Sequence, residues 1–211
     1  MKKTKTVLIG SAAVLAMSAQ AALFTFDSPA LNATIPDGNL LGYATTIDVS
    51  GIPDTILNVS VTLNISGGYI RDLYGYLYSP DSTLVVLLNQ VGISESNPFG
   101  NTGSGINVTL DDSAPHTAIS TVVTSPISGT YNTHQGGLGL LDFNGQSANG
   151  TWTLFLADLS SGGTAQLDSW SLSLDVVPEP TTWAAIIFGT LFAGTHVVRN
   201  LRRKTQANAQ S

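Results

Sequence analysis

The chain contains no cysteine, which excludes thiol catalysis, cysteine-ligated metals and a disulfide framework. Charge is scarce too: 10% of the 211 residues are Asp, Glu, Lys or Arg, and Arg71 is the only basic side chain between Lys5 and Arg199. All fourteen acids fall between Asp27 and Glu179, so that span carries a formal charge of −13. Such a field repels phosphate backbones and excludes nucleic acid as a partner. Histidine is limited to His116, His134 and His196, and no serine sits in a Gly-x-Ser-x-Gly elbow. No nucleophile, base and orienting acid share a recognisable pattern, and no residue is assigned a catalytic role.

Between the two ends, helical periodicity is missing as well. What is present is alternation. Val59, Val61, Leu63 and Ile65 alternate with polar residues, as do Trp152, Leu154 and Leu156, and then Trp170, Leu172, Leu174 and Val176. Each pattern predicts a strand with one buried face. Thr83 to Leu88 is more continuously apolar, as expected of a strand covered on both faces, and Ser79-Pro80-Asp81-Ser82 before it predicts a hairpin turn back to Leu73–Tyr78. Clusters of Gly, Asn, Asp and Pro separate the strands. The fold expected is an all-β antiparallel sandwich.

Both ends read as addresses. Lys2, Lys3 and Lys5 precede an apolar run from Val7 to Ala19 and the exit Ala19-Gln20-Ala21, the three regions of a secretory signal peptide over residues 1–21. Residues 181–198 are uncharged and, as a helix rising 1.5 Å per residue, span about 27 Å, enough to cross a bilayer. The basic residues within 199–204 follow at once, orienting the tail, 205–211, to the cytoplasm and the bulk of the chain to the far side. Pro178-Glu179-Pro180 stands directly before the helix, its prolines holding the motif extended. This tripartite arrangement over 177–204 resembles the PEP-CTERM sorting signal of Gram-negative bacteria. The resemblance implies export, recognition of Pro178, Glu179 and Pro180 by a membrane-embedded exosortase, and display at the cell surface or in an exopolysaccharide matrix. Retention of the helix as a permanent inner-membrane anchor is the alternative.

From Asp72 to Asn89 the chain reads DLYGYLYSPDSTLVVLLN, and from Asn149 it reads NGTWTLFLAD, followed by Ser169-Trp170-Ser171-Leu172. Together with Leu110-Asp111-Asp112, Ser128-Gly129-Thr130-Tyr131 and Phe143-Asn144-Gly145 these segments resemble the P domain, or Homo B domain, of subtilisin-like proprotein convertases. The resemblance covers residues 43–176, leaves 22–42 as an N-terminal segment, and implies a jelly-roll-like β-sandwich. Ser82 departs from the family's Ser-Pro-x-Gly-Thr turn. In convertases this domain stands beside a protease and stabilises it. The chain therefore reads as a non-catalytic binding or structural module, with an accessory domain for a separate subtilisin-like serine protease as the alternative.

Three groups of side chains are candidates for binding. Trp152 and Trp170 read as core anchors whose indole N–H groups seek carbonyls. Tyr74, Tyr76 and Tyr78 share one face of a strand, an arrangement that suits carbohydrate contact but equally covers a sheet edge or lines a sandwich interior. Asp72, Asp111, Asp112 and Asp158 offer hard oxygen ligands for Ca²⁺, although aspartates also cap turns for local reasons. No other cofactor is expected. The partners expected are an exosortase, and an exopolysaccharide or a surface protein.

Overall fold

The computed structural model describes residues 21–52, 55–134 and 139–177, with Gly189 and Gly194. The leader, the Pro178-Glu179-Pro180 motif, the 181–198 segment and the basic end lie outside these residues, apart from Ala21 and those two glycines. Among the described residues no helix is long and apolar enough to cross a membrane.

Ten strands follow one another along the chain: β1 (Ala22–Asp27), β2 (Ala33–Ile35), β3 (Asn39–Val49), β4 (Thr55–Gly67), β5 (Leu73–Tyr78), β6 (Leu84–Asn89), β7 (Ile106–Asp111), β8 (Ile127–Tyr131), β9 (Gly150–Asp158) and β10 (Ala165–Val177). They form two sheets. One runs in the order β1-β10-β4-β7-β8, with β2 also pairing β10, and the other runs β3-β9-β5-β6. Short 3₁₀ turns at Ile70–Asp72, Ile119–Thr121 and Gly139–Phe143 connect strands.

The predicted alternation decides which side of each sheet faces inward. Val59, Val61, Leu63 and Ile65 of β4 and Trp170, Leu172, Leu174 and Val176 of β10 are buried, and Trp152, Leu154 and Leu156 of β9 meet them from the other sheet. Gly75 is the close-packing point of β5, because a Cβ there would stand 2.6 Å from Leu156 Cδ2. In β10 the buried set steps from Leu167 to Trp170, and a register shift between Leu167 and Ser169 absorbs the extra residue. Trp152 Nε1 donates to the Ala148 carbonyl at 2.9 Å. Trp170 differs from expectation, since its buried indole N–H has no partner among the described residues; its ring is held by packing alone.

The predicted hairpin joins β5 to β6. Ser79 N–H donates to the Thr83 carbonyl at 2.9 Å, and Ser82 takes φ +66°, the left-handed conformation that explains why glycine is usual at this turn position. β6 itself is an edge strand and is not covered on both faces: Leu84 is 48% exposed while Val85, Leu87 and Leu88 are buried. A register shift after Gly75, where Leu88 opposes Gly75 and Val86 opposes Tyr76, turns both Leu87 and Leu88 inward. That bulge is why the sequence reads as a continuous apolar run. Two further features go beyond the sequence reading. β1 and β2 both pair with β10, so residues from Ala22 onward belong to the sandwich. β8 runs parallel to β7, which the long 112–126 connection permits.

Replacing Trp152 by Ala removes a fully buried ring and its hydrogen bond, and is expected to cost about 3–5 kcal/mol. Urea unfolding followed by tryptophan fluorescence checks this against Leu84→Ala, whose half-exposed side chain is expected to cost under about 1 kcal/mol.

Candidate functional site

The four candidate aspartates separate into two kinds. Asp112 is a structural clamp: its Oδ1 accepts Thr133 N–H at 2.9 Å, and its Oδ2 accepts Thr133 Oγ1–H at 2.7 Å and Leu140 N–H at 2.8 Å. It ties the end of β7 to the Gly139–Phe143 turn. A Cβ on Gly139 would collide with Asp112 Oδ2, so glycine is what lets the backbone reach this carboxylate. Asp111 closes a local turn by accepting Ser113 N–H at 2.8 Å. Both behave as turn-forming residues.

Asp158 and Asp72 are different. The register places Asp158 opposite both Asn39 and Leu73, and Leu159 N–H donates to the Asp72 carbonyl at 2.7 Å. Asp158 is 1% exposed and Asp72 5%. Asp158 Oδ1 accepts Ser160 N–H at 3.2 Å, while Oδ2 is buried without a partner among the described residues. Burial pushes the Asp158 carboxyl above its usual range, the Asp72 and Asp37 carboxylates add to the rise, and the Ser160 and Gly38 backbone donors oppose it. Asp72 Oδ1 meets Arg71 Nε at 3.4 Å, and Asp37 accepts Gly162 N–H at 3.1 Å. This end of the four-stranded sheet is where hard oxygen ligands gather. Among the described residues, however, no group of three or more His, Asp or Glu side chains converges as a metal cage.

The three tyrosines lie on the outer face of the four-stranded sheet, because Leu73, Gly75 and Leu77 face the core. Cross-strand pairing builds this face in rows: Ala44, Phe155, Tyr76 and Val86 in one, Thr46, Thr153, Tyr78 and Leu84 in the next. Tyr76 stacks on Phe155 at 4.8 Å and 18°, and Tyr74 meets Tyr76 edge-on at 6.3 Å. These rings pack on one another, which leaves Tyr78, 38% exposed, as the tyrosine freest to stack on a ligand. Beside them the β3 pairing skips from Asn39 to Tyr43, and the bulge lifts Leu40 and Leu41 to 73% and 85% exposure. Gly42, at φ +57°, lets the bulge close over Phe155: a Cβ there would stand 2.6 Å from the ring. The opposite outer face of the sandwich has another composition, with rows such as Thr25, Ser173 and Ser60, and Ser171, Thr62, Thr109 and Thr130.

Neither described histidine has the surroundings of a general base. His116 is on an exposed loop, its backbone N–H bonded to Asn132 Oδ1 at 2.9 Å. His134 N–H donates to the Leu87 carbonyl at 3.2 Å along the β6 edge, and its Nε2 lies 3.3 Å from Asn89 Nδ2. Burial lowers its pKa, so at neutral pH the ring is uncharged. Its Nδ1 is buried without a hydrogen-bond partner among the described residues.

The model of the proprotein convertase P-domain matches residues 56–174. The chain belongs to the proprotein convertase P-domain family. Two solved structures from Aeromonas sobria are similar to it: a serine protease in complex with the chaperone ORF2, at 19% identity and TM-score 0.46 over 75% of this chain, and the serine protease by itself, at 19% and 0.45 over 74%. This chain spans 27% and 26% of those proteins' lengths. No curated protein matches significantly.

In this P domain, the sequence places the tyrosines on one face and offers Asp72 and Asp158 only as two of four separate aspartates, without bringing them together, and Leu40, Leu41 and Phe155 were missed. A signal existed for each. Phe155 occupies a solvent-phase position in the Trp152-Leu154-Leu156 alternation, and Leu40-Leu41 is an apolar doublet ahead of a glycine.

The two kinds of aspartate predict opposite substitution effects. Asp112→Ala, which strips three donors of their acceptor, is expected to destabilise the P domain by about 3 kcal/mol or more. Asp158→Asn, measured in chelator, is expected to stabilise it at pH 7. Because the folded-state pKa of Asp158 is raised, its ionisation opposes folding above that pKa. The advantage of the Asn variant shrinks as pH falls from there through the ordinary carboxylate value of 3.8, below which the wild-type group is neutral in both states. Thermal melts from pH 7 to 4 check the trend.

Proposed function

We propose that this P domain is an exported, non-catalytic binding module that is displayed at the cell surface or in the surrounding matrix and docks a protein partner on the outer face of its four-stranded sheet. The observation that carries this reading is the composition of that face. Exposed Leu40 and Leu41 stand in the bulge that closes over Phe155, Phe155 stacks on Tyr76, and Tyr78 and Leu84 form the next row, whereas the other sheet turns mostly Ser, Thr and Asn outward, with Leu23 and Leu57 exposed among them. Contiguous exposed apolar and aromatic surface marks an interaction site. Projecting leucines and rings stacked on one another suit apolar protein side chains better than the flat faces of sugars. The charge of −13 between Asp27 and Glu179 favours a partner whose apolar ridge is flanked by basic residues.

Export and sorting rest on the two terminal segments. The leader, the Pro178-Glu179-Pro180 motif, the apolar 181–198 segment and its basic end support processing by an exosortase. An exopolysaccharide matrix is the setting this sorting implies. The same face supports a second occupant, a separate subtilisin-like protease that the domain would assist, as P domains do within convertases. Asp158 supports a further reading, a Ca²⁺ ion held by Asp158 Oδ2 with Asp72 alongside: a buried carboxylate oxygen without a donor suits a hard cation that would offset its desolvation.

Leu40→Ser/Leu41→Ser is expected to leave the melting temperature unchanged and release the protein from the surface of its native host into the medium; retention equal to wild type would contradict docking through this face. Mass spectrometry of material crosslinked at Tyr78 distinguishes a protease from another surface protein. For the cation, Ca²⁺ at millimolar concentration is expected to raise the melting temperature of wild type and leave Asp158→Asn unmoved.

A further inference from the structure

A cleft on a different side of the sandwich carries its own inference. It has a volume of about 530 Å³ and lies between the loop that starts at Gly92 and the turn that runs from Ser120 to Val123, with His134 on its lining. This volume falls within the range of roughly 300–1,000 Å³ typical of small-ligand sites. Hydrogen bonds brace its walls. Gly92 N–H donates to the Ser120 carbonyl at 2.8 Å, and Ser94 and Asn97 exchange backbone bonds at 3.0 and 3.1 Å. Asn97 Nδ2 donates to the carbonyls of Gly92 and Gly100 at 2.9 and 3.2 Å. Behind the second wall, buried Asn101 donates to the carbonyls of Val122 and Thr124 at 3.2 and 2.8 Å. The cleft is therefore formed before any ligand arrives.

The lining decides the class of ligand. The hydroxyls of Ser94, Ser96 and Ser120 supply donors and acceptors, Thr121 Oγ1, which itself donates to the Ala118 carbonyl at 2.9 Å, and the Asn97 amide oxygen supply acceptors, and Ile93 and Val123, 40% and 60% exposed, supply apolar walls beside the His134 ring. No carboxylate, lysine or arginine lines the cleft, and Glu95 is not among its lining residues. A metal ion would lack charged ligands here, and a phosphate or carboxylate would lack a cation while facing an acidic domain. A ligand that matches must be uncharged, rich in hydroxyls, and have C–H surface to set against Ile93 and Val123. We propose that this cleft binds a short neutral saccharide. The inference is independent of protein docking on the four-stranded sheet, and neither falls with the other.

The test uses the full chain and five probes followed by backbone amide NMR: maltotriose, cellotriose, tri-N-acetylchitotriose, trigalacturonate and a Gly-Ser-Gly peptide. At least one of the neutral trisaccharides is expected to saturate with a Kd of about 1 mM or tighter, shifting the amides of Ile93, Ser94, Ser120 and Thr121. Ser120→Phe, which fills the cleft, and Val123→Asp, which puts a charge at its exposed wall, are each expected to weaken that binding at least about tenfold with the melting temperature unchanged. Absence of saturable shifts with all three neutral sugars at about 10 mM, shifts centred on the sheet face, or equal binding by trigalacturonate or the peptide would overturn the proposal.

Discussion

The pairing of β4 with β10 is the constraint on which the rest of the structure depends. The two strands run antiparallel from Thr55 opposite Val177 to Gly67 opposite Ala165, and they set the register of every other strand in their sheet. β1 and β2 build outward from β10, and β7 from β4. Because side chains alternate, a slip of one residue in this pair would turn Val59, Val61, Leu63 and Ile65 toward solvent and bring Ser60, Thr62 and Asn64 into the core. The register shifts at Leu167/Ser169 and Asp175/Val176 keep Leu167, Trp170 and Val176 on the inner side. With that layer fixed, the second sheet docks Trp152, Leu154 and Leu156 against it, and the tyrosines of β5 are obliged to face outward.

That arrangement gives the domain two unlike outer surfaces. On one side, hydroxyls meet each other across strands, as Thr62 Oγ1 and Thr109 Oγ1 do at 3.0 Å and Thr25 Oγ1 and Ser173 Oγ at 3.1 Å, and water solvates them without difficulty. On the other, Phe155, Tyr76 and the leucines of the β3 bulge hold apolar surface against solvent. A free-standing sandwich gains nothing in stability from Leu40 and Leu41 at 73% and 85% exposure. The proposed docking would give them a role. The acid-rich end at Asp72 and Asp158 adjoins this bulge, since Asn39 pairs with Asp158, and the braced cleft at Ser120 lies between loops outside both sheets.

Much of the fold was legible because it depends on local alternation. The buried faces of β4, β9 and β10, the hairpin at Ser79–Ser82 and the β-sandwich class all follow from the order of apolar and polar residues. Features set by pairing partners were not legible. The continuous run in β6 signals burial on both faces in a central strand, but here a bulge opposite Gly75 produces it at an edge. Within 22–42 Phe24-Thr25-Phe26-Asp27 alternates, too short a run to assign by itself, and the partner β10 reveals that β1 and β2 complete the sheet. For the candidate sites, spacing alone placed the tyrosines on one face. It could not separate Asp112, saturated by Thr133 and Leu140, from Asp158, whose Oδ2 has no described donor, because that difference comes from residues distant in sequence. The Ser94–Ser120 cleft unites two loops with no motif of their own.

The central claim, that the face bearing Tyr78 and the Leu40–Leu41 bulge is covered by a partner where the protein works, is tested most directly by footprinting. Tyrosine iodination and carbene labelling are applied to the purified full chain and to the same protein in intact cells of its native host. The account predicts that Tyr78, Leu40 and Leu41 label strongly in the purified protein and are protected on cells, while the Thr62 and Thr109 surface labels equally in both. Equal labelling of the Tyr78 face in the two preparations would contradict it.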